Sequence, residues 1–178
     1  MAYTIQDPQA GYLPISNTDS GVTTAGGTTI PTPPLQLGQV VLATDPTYGS
    51  GEFILLTGNT SIAVGSVVQY DGTTYQPTIP TAATVNKSGM PMAVSMAANT
   101  STSTYSWYQI SGTAVCKKGA VKFTNKQAIG YGSTGLVVKN ASGVQILGCR
   151  TANTTSVASA TTTITVTMDR PHMMGRIT

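Results

Sequence analysis

Short apolar runs alternate with clusters of Gly, Pro, Ser, Thr and Asn along most of the chain. The clearest alternation lies at residues 163–168, where apolar side chains face one side of a strand and threonines the other. No stretch of a dozen residues combines the 3.6-residue period of an amphipathic helix with helix caps. Because strand-like runs recur at short intervals with turn residues between them, the pattern predicts an all-β fold, a small antiparallel barrel or sandwich.

The predicted centre of this fold is the stretch 106–117, which contains the only tryptophan, Trp107. Aromatic and β-branched residues suit a pleated, half-buried surface. Alternation along a strand puts Trp107 and Gln109 on one face and Tyr108 on the other. Gly112 then marks a bend. We therefore predict two strands, or one kinked strand, at the centre of the domain.

Other strands are predicted together with the turns that connect them. The runs are 39–42, 52–57, 66–70, 73–75, 90–97, 120–123, 136–139, 144–149 and 163–168. Asp71-Gly72 is typical of a two-residue hairpin turn, and the run 52–57 is expected to be buried on both faces. A second hairpin is predicted to turn at residues 140–143, and the last strand to end at 169–172.

The first 38 residues differ in composition from the rest. Prolines and glycines alternate there, threonines fill the gaps, and almost no strand or helix period is present. We therefore predict an extended N-terminal arm over 1–38 and a β-barrel or sandwich domain over 39–178. The arm is more apolar than a solvated linker requires, so it is expected to dock on its own domain or on a neighbour, with disorder as the alternative. The predicted contact residues are Tyr3, Ile5, Tyr12, Leu13, Ile15, Ile30 and Leu35.

Charge is scarce in this 178-residue chain: charged residues make up 8% of it, against about 25% in ordinary soluble domains. Nine basic and six acidic side chains give a net charge of +3, which is too weak for a nucleic-acid footprint. A solvated strand edge is the simpler explanation for one basic cluster. That cluster is Lys117, Lys118, Lys122 and Lys126. So few charges suit a surface that meets a partner or is coated with hydroxyl groups.

The chain begins with neither a basic segment nor an apolar core, so no signal peptide is expected. No apolar run approaches the length of about 20 residues that a membrane helix needs, which predicts a protein made in a cytoplasm and not inserted in a membrane. Cys116 and Cys149 both lie in strand-like runs. They are expected to be small buried hydrophobic residues, although a pairing between them is an alternative.

Candidate chemistry is sparse. Asp45 and Glu52 flank one glycine-rich loop, where oxygen ligands would suit calcium, but two carboxylates alone are a weak signal. Asp169 and His172 lie close enough in sequence to form an orienting pair, yet no nucleophile motif accompanies them. One histidine and two cysteines at these spacings match no zinc site. We therefore predict no catalytic residue, no cofactor and no metal.

The order of several segments resembles that of tailed-bacteriophage capsid cement, or head-decoration, proteins. These segments are 51–58 (GEFILLTG), 65–68 (GSVV), 90–99 (MPMAVSMAAN), 107–115 (WYQISGTAV) and 166–172 (VTMDRPH). The resemblance covers about residues 39–175. The proline-rich arm and the loop at 151–162 have no match in that family.

The resemblance implies a small β-barrel or β-tulip-like domain on the outside of an icosahedral capsid, often a homotrimer at local three-fold positions. Such a protein clamps neighbouring major capsid subunits against DNA pressure. It performs no catalysis and needs no cofactor, small-molecule substrate, nucleic acid or membrane. The expected location is the virion exterior, after assembly in the cytoplasm of a bacterial host, and the apolar arm residues would then lie in grooves between coat subunits.

Two other functions stay open at this point. A phage head-fibre or tail adhesion domain, or a carbohydrate-binding β module, would need exposed aromatic side chains in a groove. The candidates are Tyr105, Trp107, Tyr108 and Tyr131, which would otherwise belong to the core. A small hydrolase would have to use Asp169 and His172.

Overall fold

The structure is a computed structural model. It describes residues 1–6, 13–23, 27, 29–30, 33, 35–81 and 86–175. Strands account for 48% of the structure and helix for 2%, the helical part being one short 3₁₀ turn at Ser133–Gly135. The strands form antiparallel sheets, one of which is a half-barrel. The predicted all-β class with antiparallel strands is therefore confirmed.

The larger sheet has eight strands. They are β1 (Thr4–Ile5), β2 (Thr18–Asp19), β5 (Val40–Asp45), β6 (Gly49–Thr57), β7 (Val67–Tyr70), β8 (Pro77–Thr78), β9 (Met92–Ser95) and β10 (Tyr105–Gln109). Their order is β1-β5-β6-β10-β9-β7-β8, and β2 also pairs with β10. A separate two-stranded pair is formed by β3 (Val22–Thr23) and β4 (Thr29–Ile30). The longest strand of the sheet, β6, is the run predicted to be buried on both faces.

The second sheet has five strands. They are β11 (Ser111–Lys117), β12 (Ala128–Tyr131), β13 (Val137–Lys139), β14 (Gln145–Thr151) and β15 (Thr163–Met173), in the order β11-β15-β14-β12-β13. A parallel bridge between Lys118 and Val137 brings the end of β11 beside β13. The backbone amide of Gly119 donates to the Val137 carbonyl there at 2.9 Å. The sheet therefore curls around its own apolar core.

The two sheets meet where β10 passes into β11. The backbone amide of Ile110 donates to the Glu52 carbonyl at 2.9 Å, and that of Arg170 donates to the Ile110 carbonyl at 2.8 Å. Gly112 adopts a φ of +91°, and a Cβ atom at this position would collide with the Ser50 carbonyl oxygen. The predicted pair of central strands is thus present, and glycine is required at the bend by both conformation and space.

Strand β10 is buried on both faces, so that the core has three parts. The Trp107 cluster comprises Tyr3, Leu13, Ile15, Val41, Ala43, Phe53, Leu55, Met96, Tyr105 and Trp107. The Tyr108 cluster, on the other face, comprises Ile54, Leu56, Ile62, Val68, Ala93, Tyr108 and Ile110. The inner cluster fills the five-stranded sheet and includes Cys116, Phe123, Ile129, Tyr131, Val166 and Met173. Alternation along β15 buries its apolar residues in the inner cluster and turns its threonines outward.

The described part of residues 1–38 packs on its own domain. The indole Nε1 of Trp107 donates to the Leu13 carbonyl at 2.7 Å, and the Tyr3 hydroxyl donates to the Thr113 carbonyl at 2.6 Å. Tyr3, Leu13 and Ile15 are only 8%, 8% and 3% exposed. The first six residues also add β1 to the eight-stranded sheet. An extended arm is therefore not confirmed. The sequence allowed docking on the same domain or on a neighbour, and these three residues dock on the same domain.

Three predictions about turns and strand ends are wrong. The Asp71-Gly72 turn is longer than two residues: β7 pairs with β8, and not with 73–75. The Asp71 carboxylate accepts the backbone amides of Thr73 and Thr74 at 2.7 and 2.9 Å. An Asx-type turn replaces the tight hairpin because this side chain competes for backbone donors.

The other two corrections concern the five-stranded sheet. The runs predicted as the second hairpin are separated by β12, which pairs with both β13 and β14. The last strand continues to Met173 instead of ending at Asp169. Arg170 has a φ of 41°, opposite an irregular register at Gly148, whose φ is 68°. This bulge re-aims the strand without terminating it.

Replacing Trp107 by Phe should lower the free energy of unfolding by about 2 kcal/mol, since it leaves a void and removes the donor of the Leu13 carbonyl. Urea unfolding followed by circular dichroism measures this change. The control is Val64→Ala at a side chain that is 53% exposed, where the change should stay within about 0.5 kcal/mol. Equal effects of the two substitutions would show that the indole does not hold the N-terminal segment.

Candidate functional site

Asp45 and Glu52, the predicted calcium ligands, have separate roles. Asp45 Oδ1 accepts the backbone amides of Thr47 and Tyr48 at 2.7 and 3.0 Å, and its Oδ2 accepts that of Ala2. Glu52 faces Arg170, whose Nη2 lies 3.2 Å from Glu52 Oε2. Within the described residues no group of three or more His, Cys, Asp or Glu side chains could hold a metal ion. The pair therefore gives no support to a calcium site.

The hydrogen bonds to Asp45 also set its charge state. Desolvation raises the pKa of this carboxyl group, but the amides of Ala2, Thr47 and Tyr48 and the N-terminal charge outweigh it. The pKa is held below its ordinary value of 3.8. Asp45 is thus a charged anchor for the first residues of the chain.

Asp169 and His172 do not form a catalytic arrangement. Both side chains are exposed on β15. His172 Nδ1 lies 3.5 Å from the Arg170 carbonyl oxygen, and no hydrogen bond joins the two side chains in the part of the chain that the structure describes. An open groove of about 290 Å³ beside Asp169 runs between β14 and β15 and does not include His172 among its lining residues. Asp169 and His172 therefore do not form the orienting pair on which the hydrolase hypothesis depends.

Both cysteines are free thiols. Cys116 lies on β11 and Cys149 on β14, with β15 between them. Burial raises the pKa of Cys149 to about 12, and that of Cys116 well above its ordinary value. Because the thiolate is the reactive form, these side chains act as small hydrophobic residues, in agreement with the interpretation from sequence.

The four aromatic residues considered for a carbohydrate groove are buried. Tyr105 is 6% exposed, Tyr131 is 1% exposed, and Trp107 and Tyr108 are fully buried. The Tyr131 hydroxyl donates to the Pro80 carbonyl at 3.0 Å and accepts the Gly135 amide at 3.2 Å. Sugar binding needs an accessible aromatic face, which none of these four provides.

The space inside the five-stranded sheet is filled by side chains. One small void beside the inner cluster, lined by residues including Met92, Cys116 and Ile146, measures about 10 Å³. That is about the room taken by a single water molecule. This void therefore has no capacity for a small-molecule ligand.

The most distinctive surface feature is an exposed apolar pair on β5. Val40 and Leu42 are 43% and 46% exposed and share the face opposite to the buried Val41. Leu42 lies opposite Glu52 on β6, so the Glu52–Arg170 ion pair forms a polar margin beside it. An apolar centre with a polar rim is typical of a protein-contact surface. In the sequence this segment is a short apolar run. The run does not indicate which face of the strand points outward or that this face has no cover.

Lys118 is buried, unlike the other lysines of the basic cluster predicted from the sequence. It is 5% exposed, and its Nζ donates to the carbonyls of Gly119, Ser159 and Thr161 at 3.0, 3.2 and 2.7 Å. The interpretation of Lys118 as part of a solvated edge is therefore wrong. Its ammonium group instead fastens the loop before β15 to the end of β11.

The remaining predicted contact residues either pack against the Trp107 cluster or lie outside the described residues. Ile5 and Leu35 are half-buried and pack against that cluster. Tyr12 and the side chain of Ile30 lie outside the described residues. Contact of the seven residues with another protein stays a prediction, and for Tyr3, Leu13 and Ile15 it would require the segment to leave its own core.

Within the described residues, none of the helical structure has the length and apolar character needed to cross a bilayer. Comparison with protein-family models, with curated proteins and with solved structures yielded no match to this chain. Function therefore has to be argued from the surface features above and from the resemblance in sequence.

Replacing Lys118 by Met should lower the free energy of unfolding by about 1–3 kcal/mol, because three carbonyls lose a charged donor. Denaturant unfolding measures the loss, and limited proteolysis should cut faster within residues 152–162. The matched control is Lys122→Met at an exposed lysine, which should change stability by less than about 0.5 kcal/mol. Unchanged proteolysis in the Lys118 variant would mean that the loop is held by other contacts.

The depressed pKa of Asp45 predicts that the stability of the protein depends on pH. Because its folded pKa is depressed, the stabilisation by Asp45 is complete above the unfolded pKa and is lost as pH falls through the folded pKa. Between about pH 5 and pH 2 the wild type should therefore lose more stability than Asp45→Asn, whose amide does not titrate. Urea unfolding across this range compares them, with Asp169→Asn as control. Parallel pH profiles for wild type and Asp45→Asn would contradict the role assigned to this carboxylate.

Proposed function

We propose that the chain is a structural protein of a tailed-bacteriophage virion that binds the outside of an icosahedral capsid and cements neighbouring major capsid subunits against DNA pressure. The resemblance over residues 39–175 suggests the family. The observation that carries the proposal is the outward apolar pair, Val40 and Leu42, on an otherwise hydroxyl-rich scaffold with few charges. Such a pair favours a partner surface that shields it from water.

A rigid scaffold suits a cementing role. The Trp107 and Tyr108 clusters cover the two faces of β10, and the inner cluster fills the five-stranded sheet. This packing leaves the buried side chains little freedom to move. A preorganised contact surface loses less conformational entropy on binding than a loop that must become ordered. Outward threonines on β15 add a neutral polar surface, and the proposed mechanism is passive binding without a chemical step.

The proposal includes a homotrimer. Three copies on a local three-fold position of a capsid would present three equivalent contact surfaces. Linked binding makes the second and third contacts intramolecular, so weak individual contacts give tight overall attachment. A closed ring of identical subunits is a common symmetric solution for such an assembly.

The N-terminal segment enters the proposal in a changed role. Tyr3, Leu13 and Ile15 are occupied in the Trp107 cluster, so Val40 and Leu42 are better candidates for coat contact. Deleting residues 1–38 would uncover Trp107 and Phe53. Loss of capsid binding by such a truncation would therefore report unfolding as much as a lost contact, and point substitutions give the cleaner test.

No observation favours the adhesion or carbohydrate-binding alternative, because its four aromatic candidates are buried. The hydrolase alternative lacks an assembled group around His172. The proposal for cementing therefore stands as the function that the surface supports best.

Light scattering should give a particle of three times the 18.3 kDa chain mass, and binding to mature capsids lacking this protein should saturate. The double variant Val40→Ser with Leu42→Ser should bind those capsids at least about tenfold more weakly, since two apolar side chains lose their burial. Cosedimentation with purified capsids measures the affinity. Val64→Ser, at an equally apolar and 53% exposed position, serves as the control.

Three results would count against the proposal. They are a monomer in solution, no saturable binding to capsids, or equal binding by the double variant and the wild type. Mass spectrometry of purified virions measures the stoichiometry of this protein relative to coat protein. Absence of this protein from the particle would reject the proposal outright.

A further inference from the structure

The few charges of the chain are segregated along it. Residues 1–110 hold one basic and five acidic side chains, whereas residues 111–178 hold eight basic and one acidic. The net charges of the two parts are therefore −4 and +7. The overall value of +3 hides this separation between the part that contains the eight-stranded sheet and the part that contains the five-stranded sheet.

Strand directions bring most of the basic residues to one end of the five-stranded sheet. Strands β11, β13 and β14 run towards this end, and β12 and β15 start from it. The register shows this directly, because Lys117 lies opposite Thr163, Ala128 opposite Arg150, and Ile129 opposite Lys139. We call this the basic end. It comprises Lys117, Lys122, Lys126, Lys139 and Arg150.

These five cations are available for intermolecular contact. Lys122, Lys126, Lys139 and Arg150 are exposed and Lys117 is half-buried. In the described ranges, the only ion pair joins Arg170 to Glu52, near the start of β11 and away from the basic end. Lys118 is excluded from the set because it is bound to carbonyl groups. The basic end thus concentrates positive charge without an ion-paired carboxylate among the described residues.

We propose that the basic end binds an acidic protein surface. If the cementing function above is correct, that surface belongs to a second coat subunit, next to the one contacted by Val40 and Leu42. A chain that itself contacts two neighbouring subunits needs two separate contact surfaces. The seven-residue strand β11 separates the Glu52–Arg170 margin of the apolar pair from the basic end, and at about 3.3 Å per residue this is about 20 Å.

The chemistry favours protein over nucleic acid. Single-stranded nucleic acid is bound by stacking on exposed aromatic rings, and the two aromatic residues of this part, Phe123 and Tyr131, are 0% and 1% exposed. Threonines rather than further cations cover the outer face of β15. Five cations spread among hydroxyl groups match the scattered carboxylates of a protein surface better than a continuous row of phosphates.

Charge complementarity of exposed groups makes binding sensitive to salt, since the Debye length is about 10 Å at 0.1 M salt and shrinks as salt rises. Contacts between exposed charges chiefly affect association rate and orientation. The basic end should therefore act in the first docking of the protein, and its contribution should fade at high ionic strength. The apolar pair should be much less salt-sensitive.

The test compares wild type with the double variant Lys122→Glu with Lys139→Glu. Two probes are used: DNA-free, nuclease-treated capsids, and a fluorescent peptide of ten glutamates. The double variant should lose at least about tenfold in affinity for both at low salt, with a smaller loss at high salt. The single variant Lys122→Glu is matched by Lys87→Glu, an exposed lysine in the segment before β9 that is not part of the basic end.

The outcomes separate this inference from the proposed function. Capsid binding that is equal in wild type and the lysine variants overturns the inference and leaves the cementing function standing. Lysine-dependent binding to the glutamate peptide without any binding to capsids supports the acidic-partner inference and rejects cementing. Failure of the wild type to bind the peptide, an equal loss in Lys122→Glu and Lys87→Glu, or tighter binding to a short DNA duplex than to the peptide overturns the inference. Unfolding curves that match the wild type confirm that the variants are folded.

Discussion

The architecture depends on the burial of both faces of β10. A strand at the centre of a sheet satisfies its backbone by pairing, but each face still needs apolar cover. On the Tyr108 side the cover comes from residues between Ile54 and Ala93, together with Ile110. On the Trp107 side it comes from Tyr3, Leu13 and Ile15, and the indole donates to the Leu13 carbonyl at 2.7 Å. The first residues of the chain therefore complete the core.

This constraint explains why the sequence left open where the N-terminal segment docks. Its described residues Tyr3, Leu13 and Ile15 enter the Trp107 cluster without a strand or helix period between them. Composition alone then suggests an arm. Such a cover joins residues that are far apart in sequence, as with Leu13 and Trp107, which are 94 positions apart. No local pattern contains that information.

The features of the fold that could be predicted from sequence are those that depend on residues close together in the chain. The class, β6, the bend between β10 and β11, and the alternation of β15 follow from local side-chain period and from Gly112. Pairing could not be predicted in the same way. The Asp71 carboxylate accepts backbone amides, which lengthens a turn. Strand β12 pairs between two runs that were predicted to form a hairpin, and β15 continues past the bulge at Gly148. The site was harder still, since exposure of Val40 and Leu42 depends on which elements leave β5 uncovered.

The same reasoning applies to charge. A total of +3 on 178 residues excludes a strongly basic protein, yet a total says nothing about distribution. Antiparallel strands bring the ends of alternate strands to the same side of a sheet, so Lys117, Lys139 and Arg150 lie at one end although they are separated in sequence. In the proposed function, the apolar pair on one sheet and the cationic end on the other would give each chain two chemically different contact surfaces. A trimer with one kind of surface already contacts three coat subunits, whereas the second kind would let each chain also reach a neighbouring subunit.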